Sequence, residues 1–239
     1  MFYYGIDYTY IILVLPAMLL ALIAQAAVKG AFNKYSQVFS ARNITAAQAA
    51  RAVLDSNGLQ TVRIERVTGE LTDHYDPSAN VIRLSQGVHD STSTAAIGIA
   101  CHECGHAIQH ATDYYPIKLR SALVPITNFG SKIAVPLIII GIILCYASYE
   151  LAFIAYIGVA CFALSTVFQL VTLPTELDAS RRALNSIRSC NLLYDDEIPG
   201  ARSVLRAAAW TYVAALAVSL AQLLRFLLLV SSASGRRRR

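Results

Sequence analysis

Three stretches of this chain carry no Asp, Glu, Lys or Arg for long enough to cross a bilayer, and that limits what the rest can become. Residues 8–28, 133–149 and 151–173 are charge-free. As helices, each can span roughly 30 Å of hydrocarbon. A fourth apolar run, residues 207–230, contains Gln222 and Arg225. Its length favours a fourth crossing, with Arg225 reaching toward an interface, over a helix lying in the interface plane. The composition agrees: 56% of residues are hydrophobic and 15% charged, too apolar for an ordinary soluble domain of 239 residues. Pro16 and Pro136 fall inside apolar runs, where lipid-embedded helices tolerate proline. The first run lacks a basic flank and exceeds the usual apolar length of a signal peptide, so it reads as a retained anchor.

Basic residues give the expected orientation. Residues 29–132 hold ten Lys and Arg, and residues 174–206 hold Arg181, Arg182, Arg188, Arg202 and Arg206, whereas the segment before Tyr8 and the turn at Glu150 hold none. The positive-inside rule then puts both large loops in the cytoplasm and the N-terminus outside. Arg236–Arg239 run against the rule if the fourth segment spans, so the tail is assigned no side. Five cysteines, an odd number scattered through membrane and cytoplasmic regions, make no disulfide framework.

The first large loop reads as a small α+β unit. Thr45 caps the helix AAQAARAVLDS, which Asn57-Gly58 terminates. Residues 60–67 alternate as a half-buried strand, with a turn near Thr68-Gly69. Residues 80–85 form a second strand after the Asp76-Pro77 turn, read either as the edge to which an extended substrate adds or as an inner strand. Asp90, Ser91 or Ser93 then caps a helix carrying IACHECGHAIQH, residues 99–110.

That helix holds H-E-x-x-H at His102, Glu103 and His106. Two imidazoles four residues apart leave one helix face about 6 Å apart and can reach one tetrahedral ion. Glu103 points about 100° around the axis, where it serves as a general base toward a water rather than as a ligand in the same row. Chance would produce this pattern in about 0.3% of chains of such composition. The overlapping C-x-x-C of Cys101 and Cys104 has no neighbouring thiols to complete a zinc site, and the pair reads as small buried packers. His110 continues the row but lies about 12 Å from His102 along the helix, so it lines the pocket or supports a ligand. A catalytic zinc needs a third protein ligand. The metzincin positions hold Gln109 and Thr112, which leaves LPTELDASRRAL in the second loop, with Pro174 and Thr175 read as a helix start and Glu176 and Asp178 as the acids there.

These strings resemble the neutral zinc metallopeptidases of bacterial membranes, the YugP-like group, distantly similar to the HtpX and CAAX-processing membrane proteases. The resemblance covers nearly the whole chain: the anchor, AIGIACHECGHAIQH, a membrane hairpin, LPTELDASRRAL and RAAAWTYVAALAVSLAQLLRFLLL. It implies Zn2+ held by His102, His106 and Glu176, with Glu103 as base. In the distant relatives an acid follows the ligand glutamate by four residues; here that position is Ser180, and Asp178 stands at plus two.

The expected fold is a predominantly α, polytopic membrane protein with three to four transmembrane helices and a small cytoplasmic α+β zincin-like domain. Its parts run 1–28 as anchor, 29–132 as cytoplasmic metalloprotease region, 133–173 as hairpin, 174–206 as a cytoplasmic helix with the third ligand, and 207–239 as a last transmembrane or interfacial helix with a basic tail. The expected function is a zinc endopeptidase of the bacterial inner membrane, acting at the cytoplasmic face on membrane-associated or unfolded protein segments. His110, Arg181 and Arg182 are candidates for stabilising the oxyanion, and Asp178 for orienting a histidine. Partners are a peptide substrate, the bilayer and a further membrane protein, with no role for nucleic acid. The rival reading is a zinc-bearing scaffold or adaptor, against which the intact Glu103 argues. A transporter is disfavoured because no span but the last holds an ionisable residue.

Overall fold

The computed structural model describes residues 2–3, 6–69 and 72–235, so the Arg236–Arg239 tail lies outside the described residues. In chain order the elements are β1 (Phe2–Tyr3), β2 (Ile6–Asp7), a π-helical turn (Tyr10–Val14), α1 (Leu15–Tyr35), α2 (Ala46–Ser56), β3 (Arg63–Val67), β4 (His74–Asp76) and β5 (Val81–Ser85). After these come α3 (Gln86–His89), α4 (Thr94–Ala111), α5 (Tyr115–Ala147), a 3-10 turn (Tyr149–Leu151), α6 (Ala152–Ser189) and α7 (Ile198–Gly235). The chain is predominantly α-helical, and among the described residues four helical stretches are long and apolar enough to cross a membrane: Tyr10–Tyr35, Tyr115–Ala147, Tyr149–Ser189 and Ile198–Gly235. The fourth apolar run thus belongs to a helix of sufficient length despite Arg225.

The chain divides into two compact units. One comprises residues 1–23, 119–173 and 212–239 and contains most of the apolar helix length. Within it α5 and α6 lie close enough that a Cβ on Gly158 would come 2.7 Å from both the Ala134 carbonyl oxygen and the Ile138 backbone nitrogen. Ile138, Ala155, Val159, Phe226 and Val230 form its buried cluster, and Phe162 meets Phe226 edge-on at 5.0 Å. Arg225 donates from Nε and Nη2 to Asp7 Oδ2 at 2.8 and 2.6 Å, and the Thr9 hydroxyl donates to the other carboxylate oxygen. The charge that breaks the fourth apolar run is therefore neutralised by the residue that precedes the first.

The second unit comprises residues 24–118 and 174–211. Its sheet runs β3-β5-β4, with β3 parallel and β4 antiparallel to β5. This decides between the two readings of residues 80–85: β5 is the central strand, buried at four of its five positions, and the edge beside it is β4. The short β4 carries no alternating pattern of its own and was not expected. Local signals elsewhere act as read. Thr45 accepts from Gln48 N while the Gln48 side chain accepts from Thr45 N, a full capping box. Gly58 stops α2 with φ +73°. Ser93, rather than Asp90 or Ser91, caps α4 by accepting from Ala96 N.

Pro174 and Thr175 do not start a helix. α6 runs unbroken from Ala152 to Ser189 with Pro174 inside it. Long apolar helices tolerate the hydrogen bond that proline removes, so the ring does not end this one. The rest of residues 174–206 turns at 190–197 and re-enters helix as α7.

At the centre of this unit, α4 buries 13 of its 18 residues. Its core includes Ala49, Val53 and Leu54 of α2, Ile82 and Leu84 of β5, Ala183 and Ile187 of α6, and Ile198, Ala201 and Leu205 of α7. Glycines let α4 sit this close to its neighbours. A Cβ on Gly105 would lie 2.5 Å from the Ala179 carbonyl oxygen, and one on Gly98 would lie 3.1 Å from Ala201 Cβ. Cys101 and Cys104 are fully buried in this core, and burial drives both thiols well above their ordinary titration range. Neutral thiols there pack rather than ligate or react.

Candidate metal centre

Gly105 stands between the two histidines of α4, and Ala179 stands three residues after Glu176 on α6. Their close approach brings two imidazoles and one carboxylate together. His102 Nε2 is 3.2 Å and His106 Nε2 3.5 Å from Glu176 Oε2, and one donor atom from each of the three residues lies within 4.8 Å of the others. The two rings meet edge-to-face at 4.8 Å. The glutamate is 3% exposed, yet its pairing with His102 and His106 supports its charge. Burial pulls the proton affinity of His106 down, but the carboxylates of Glu176 and Glu103 and the bond to Gln109 raise it above the ordinary range. Two histidines and a glutamate with converging donor atoms are the chemistry of a catalytic zinc site, so the residues present fit the metal.

Each histidine has a partner for its other nitrogen. His106 Nδ1 lies 3.0 Å from Gln109 Oε1, and Gln109 Nε2 donates to the Thr175 carbonyl at 2.8 Å and to Asp178 Oδ2 at 3.0 Å. Asp178 also accepts from Arg182 Nε at 2.6 Å and from Arg181 Nη2. Asp178 therefore reaches His106 through Gln109. His102 Nδ1 lies 3.2 Å from Ser180 Oγ, four residues after Glu176 on α6. Neither Gln109 nor Ser180 was singled out from the sequence as a partner. Their spacing was the available signal: Gln109 follows His106 by three residues, one helical turn, and Ser180 follows Glu176 by four.

Glu103 stands outside the three-residue group, as its position on the helix requires. Its Oε2 accepts the Tyr75 backbone N–H of β4 at 2.9 Å, and the residue is 8% exposed. The Tyr75 ring packs on His110 at 5.6 Å. β4 thus touches both the carboxylate and the next histidine along α4. Arg181 is 71% exposed at its side chain and engages Asp178.

Comparison with known proteins decides the family. Residues 10–231 match the family model described as "Putative neutral zinc metallopeptidase". The chain belongs to this family. It is 44% identical over 220 residues to the "Putative membrane protease YugP" of Bacillus subtilis (strain 168), covering 92% of this chain and 96% of that protein. No solved structure matches the chain. Family membership makes zinc the metal and peptide hydrolysis the chemistry, and the four apolar helices make the chain a membrane protein.

Proposed function

We propose that this chain is an endopeptidase that cleaves membrane-associated or unfolded protein segments at the cytoplasmic face of the bilayer, with His102, His106 and Glu176 holding zinc and Glu103 acting as general base. The observation that carries the reading is the convergence of the three donor groups within 4.8 Å, with Glu103 next to His102 in sequence. Zinc held there would polarise the scissile carbonyl and acidify the attacking water. Glu103 takes a proton from that water and returns it to the departing amine. The Tyr75 N–H fixes one carboxylate oxygen and leaves the other for the proton. Gln109 and Ser180 hold the two imidazole rings by their Nδ1 atoms, with Asp178 anchoring Gln109.

An extended substrate lies along β4, pairing through backbone groups other than the Tyr75 N–H that Glu103 holds, and such pairing makes binding tolerant of sequence. Arg181 and Arg182 are both engaged with Asp178, which leaves His110, packed on Tyr75, as the candidate of the three for a developing oxyanion. The cytoplasmic assignment rests on fifteen Lys and Arg in the two loops that carry the site and none at the Glu150 turn.

The deciding experiment compares wild type with Glu103→Gln in zinc content and in hydrolysis of an unfolded casein substrate. The variant should keep one zinc per chain and lose at least about a hundredfold in rate. Loss of the metal would show that Glu103 is a ligand, and unchanged hydrolysis would remove it from the chemistry.

A further inference from the structure

In the unit that holds the metal centre, α6 and α7 enclose an open cleft of about 340 Å3. Arg181, Arg188, Arg202 and Arg206 line it. Arg181 engages Asp178, whereas among the described residues the side chains of Arg188, Arg202 and Arg206 have no carboxylate partner. The apolar lining alternates with these cations: Leu177, Arg181, Leu184 and Arg188 along α6, then Arg202, Leu205 and Arg206 along α7. A ligand with its charge at one end and its apolar part at the other does not match that order. A polypeptide in which acidic and apolar side chains alternate does, because each guanidinium can take a carboxylate through paired N–H donors while the leucines cover the residues between.

The cleft adjoins the metal centre within the same unit. Ser180 lines it and lies 3.2 Å from His102 Nδ1. Leu177 directly follows Glu176. Arg181 engages Asp178, which accepts from Gln109, the partner of His106. Two residues of the cleft wall are thus tied to the two imidazoles, one directly and one through Asp178 and Gln109. Arg181 and Arg188 stand seven residues apart on one helix. That is about 10 Å, or about three residue steps of extended chain.

We propose that this cleft is a subsite for an acidic segment of the substrate polypeptide, its carboxylates on Arg188, Arg202 and Arg206 and its apolar side chains on Leu177, Leu184 and Leu205. The proposal rests on the peptidase reading of the metal centre and adds the class of substrate, namely segments in which acidic and apolar residues alternate near the scissile bond. Arg181, already engaged with Asp178, shapes the wall and keeps the metal-binding rings supported.

Binding and cleavage are measured separately. Full-length Glu103→Gln protein, loaded with zinc in detergent, would be titrated with two fluorescein-labelled peptides, one alternating Asp with Leu and one alternating Asn with Leu, and anisotropy followed. Exposed ion pairs contribute up to about fivefold each, so the acidic peptide should bind about tenfold more tightly, and the difference should shrink as salt is raised. R188Q/R202Q/R206Q should abolish the difference, whereas K29Q/K34Q/R42Q, which removes the same charge elsewhere, should retain it. Zinc content reports whether the triple variant folds; if it does not, Arg202→Gln alone should cut the preference about two- to threefold. With Glu103 intact, kcat/KM on the acidic peptide should exceed that on the neutral one by a similar factor. Equal binding of the two peptides, or an acidic preference that survives the cleft substitutions, overturns the proposal. Tighter binding of inorganic phosphate or of a short oligonucleotide would assign the cleft to another anion and also overturns it. Selective binding of the acidic peptide without hydrolysis of either peptide by the wild type would count against the peptidase reading and not against the cleft.

Discussion

Glu176 occupies a position that would be hostile to its charge without its partners. A carboxylate exposed to only 3% keeps its charge when opposite charges and hydrogen bonds compensate the lost water, and here two histidines provide that. Replacing it by glutamine should therefore abolish zinc binding and hydrolysis together, which elemental analysis of chelator-free protein and the casein assay can measure in parallel. Zinc retained at wild-type level would require a different third ligand. Gln109 is expected to behave differently, because it touches His106 and Asp178 but contributes no donor to the three-residue group. Gln109→Leu leaves the His106 Nδ1 and the Asp178 carboxylate each short of a partner, and should weaken zinc affinity about 10- to 100-fold while saturating zinc restores most of the rate. A zinc titration with activity readout distinguishes this from loss of the base.

Helix contact, more than any loop, sets the geometry of the centre. α4 and α6 meet where Gly105 faces the Ala179 carbonyl, and the space there is smaller than a methyl group needs. Gly105→Ala should force the helices apart and destabilise the chain by about 1 to 3 kcal/mol, with a matching loss of zinc. Gly87→Ala, which meets no atom within 4 Å, is the control; thermal unfolding in detergent compares the two. If Gly105→Ala melts with the control and keeps its zinc, the contact does not govern the site. Element by element, the sequence was most legible where structure is local. The Thr45 capping box, the Asn57-Gly58 stop and the spacing of His102 and His106 are written within a few residues of one another. The β4 strand, the central place of β5 and the continuity of α6 through Pro174 were not legible, since each depends on partners remote in the chain or on apolar surroundings that a dipeptide does not encode. Ser180 was visible as a departure from a pattern, but its contact with His102 needed the fold.

Across the whole molecule, the first and last membrane segments are joined by Asp7 and Arg225, each less than a fifth exposed at its side chain. Removing one charge leaves the other poorly solvated, so Asp7→Asn and Arg225→Gln should each destabilise by about 3 to 5 kcal/mol, and the double variant by less than their sum. Additive losses in a detergent unfolding series would mean that the two charges do not depend on each other. Cysteine-accessibility mapping tests the proposed orientation: residues 34–120 and 181–202 should label only from the cytoplasmic side, and labelling of either stretch from outside would reverse it. The unit that brings His102, His106 and Glu176 together is made of two stretches of chain, 24–118 and 174–211, with residues of the other unit between them. That arrangement has a consequence for the order of biosynthesis. The 70 residues from His106 to Glu176 take roughly 4 to 14 s to translate at bacterial rates. Throughout that interval the nascent chain carries Glu103 and the two imidazoles of α4 but lacks Glu176. In this order of synthesis the three-residue group is complete only after the sequence between α4 and Glu176 has been made.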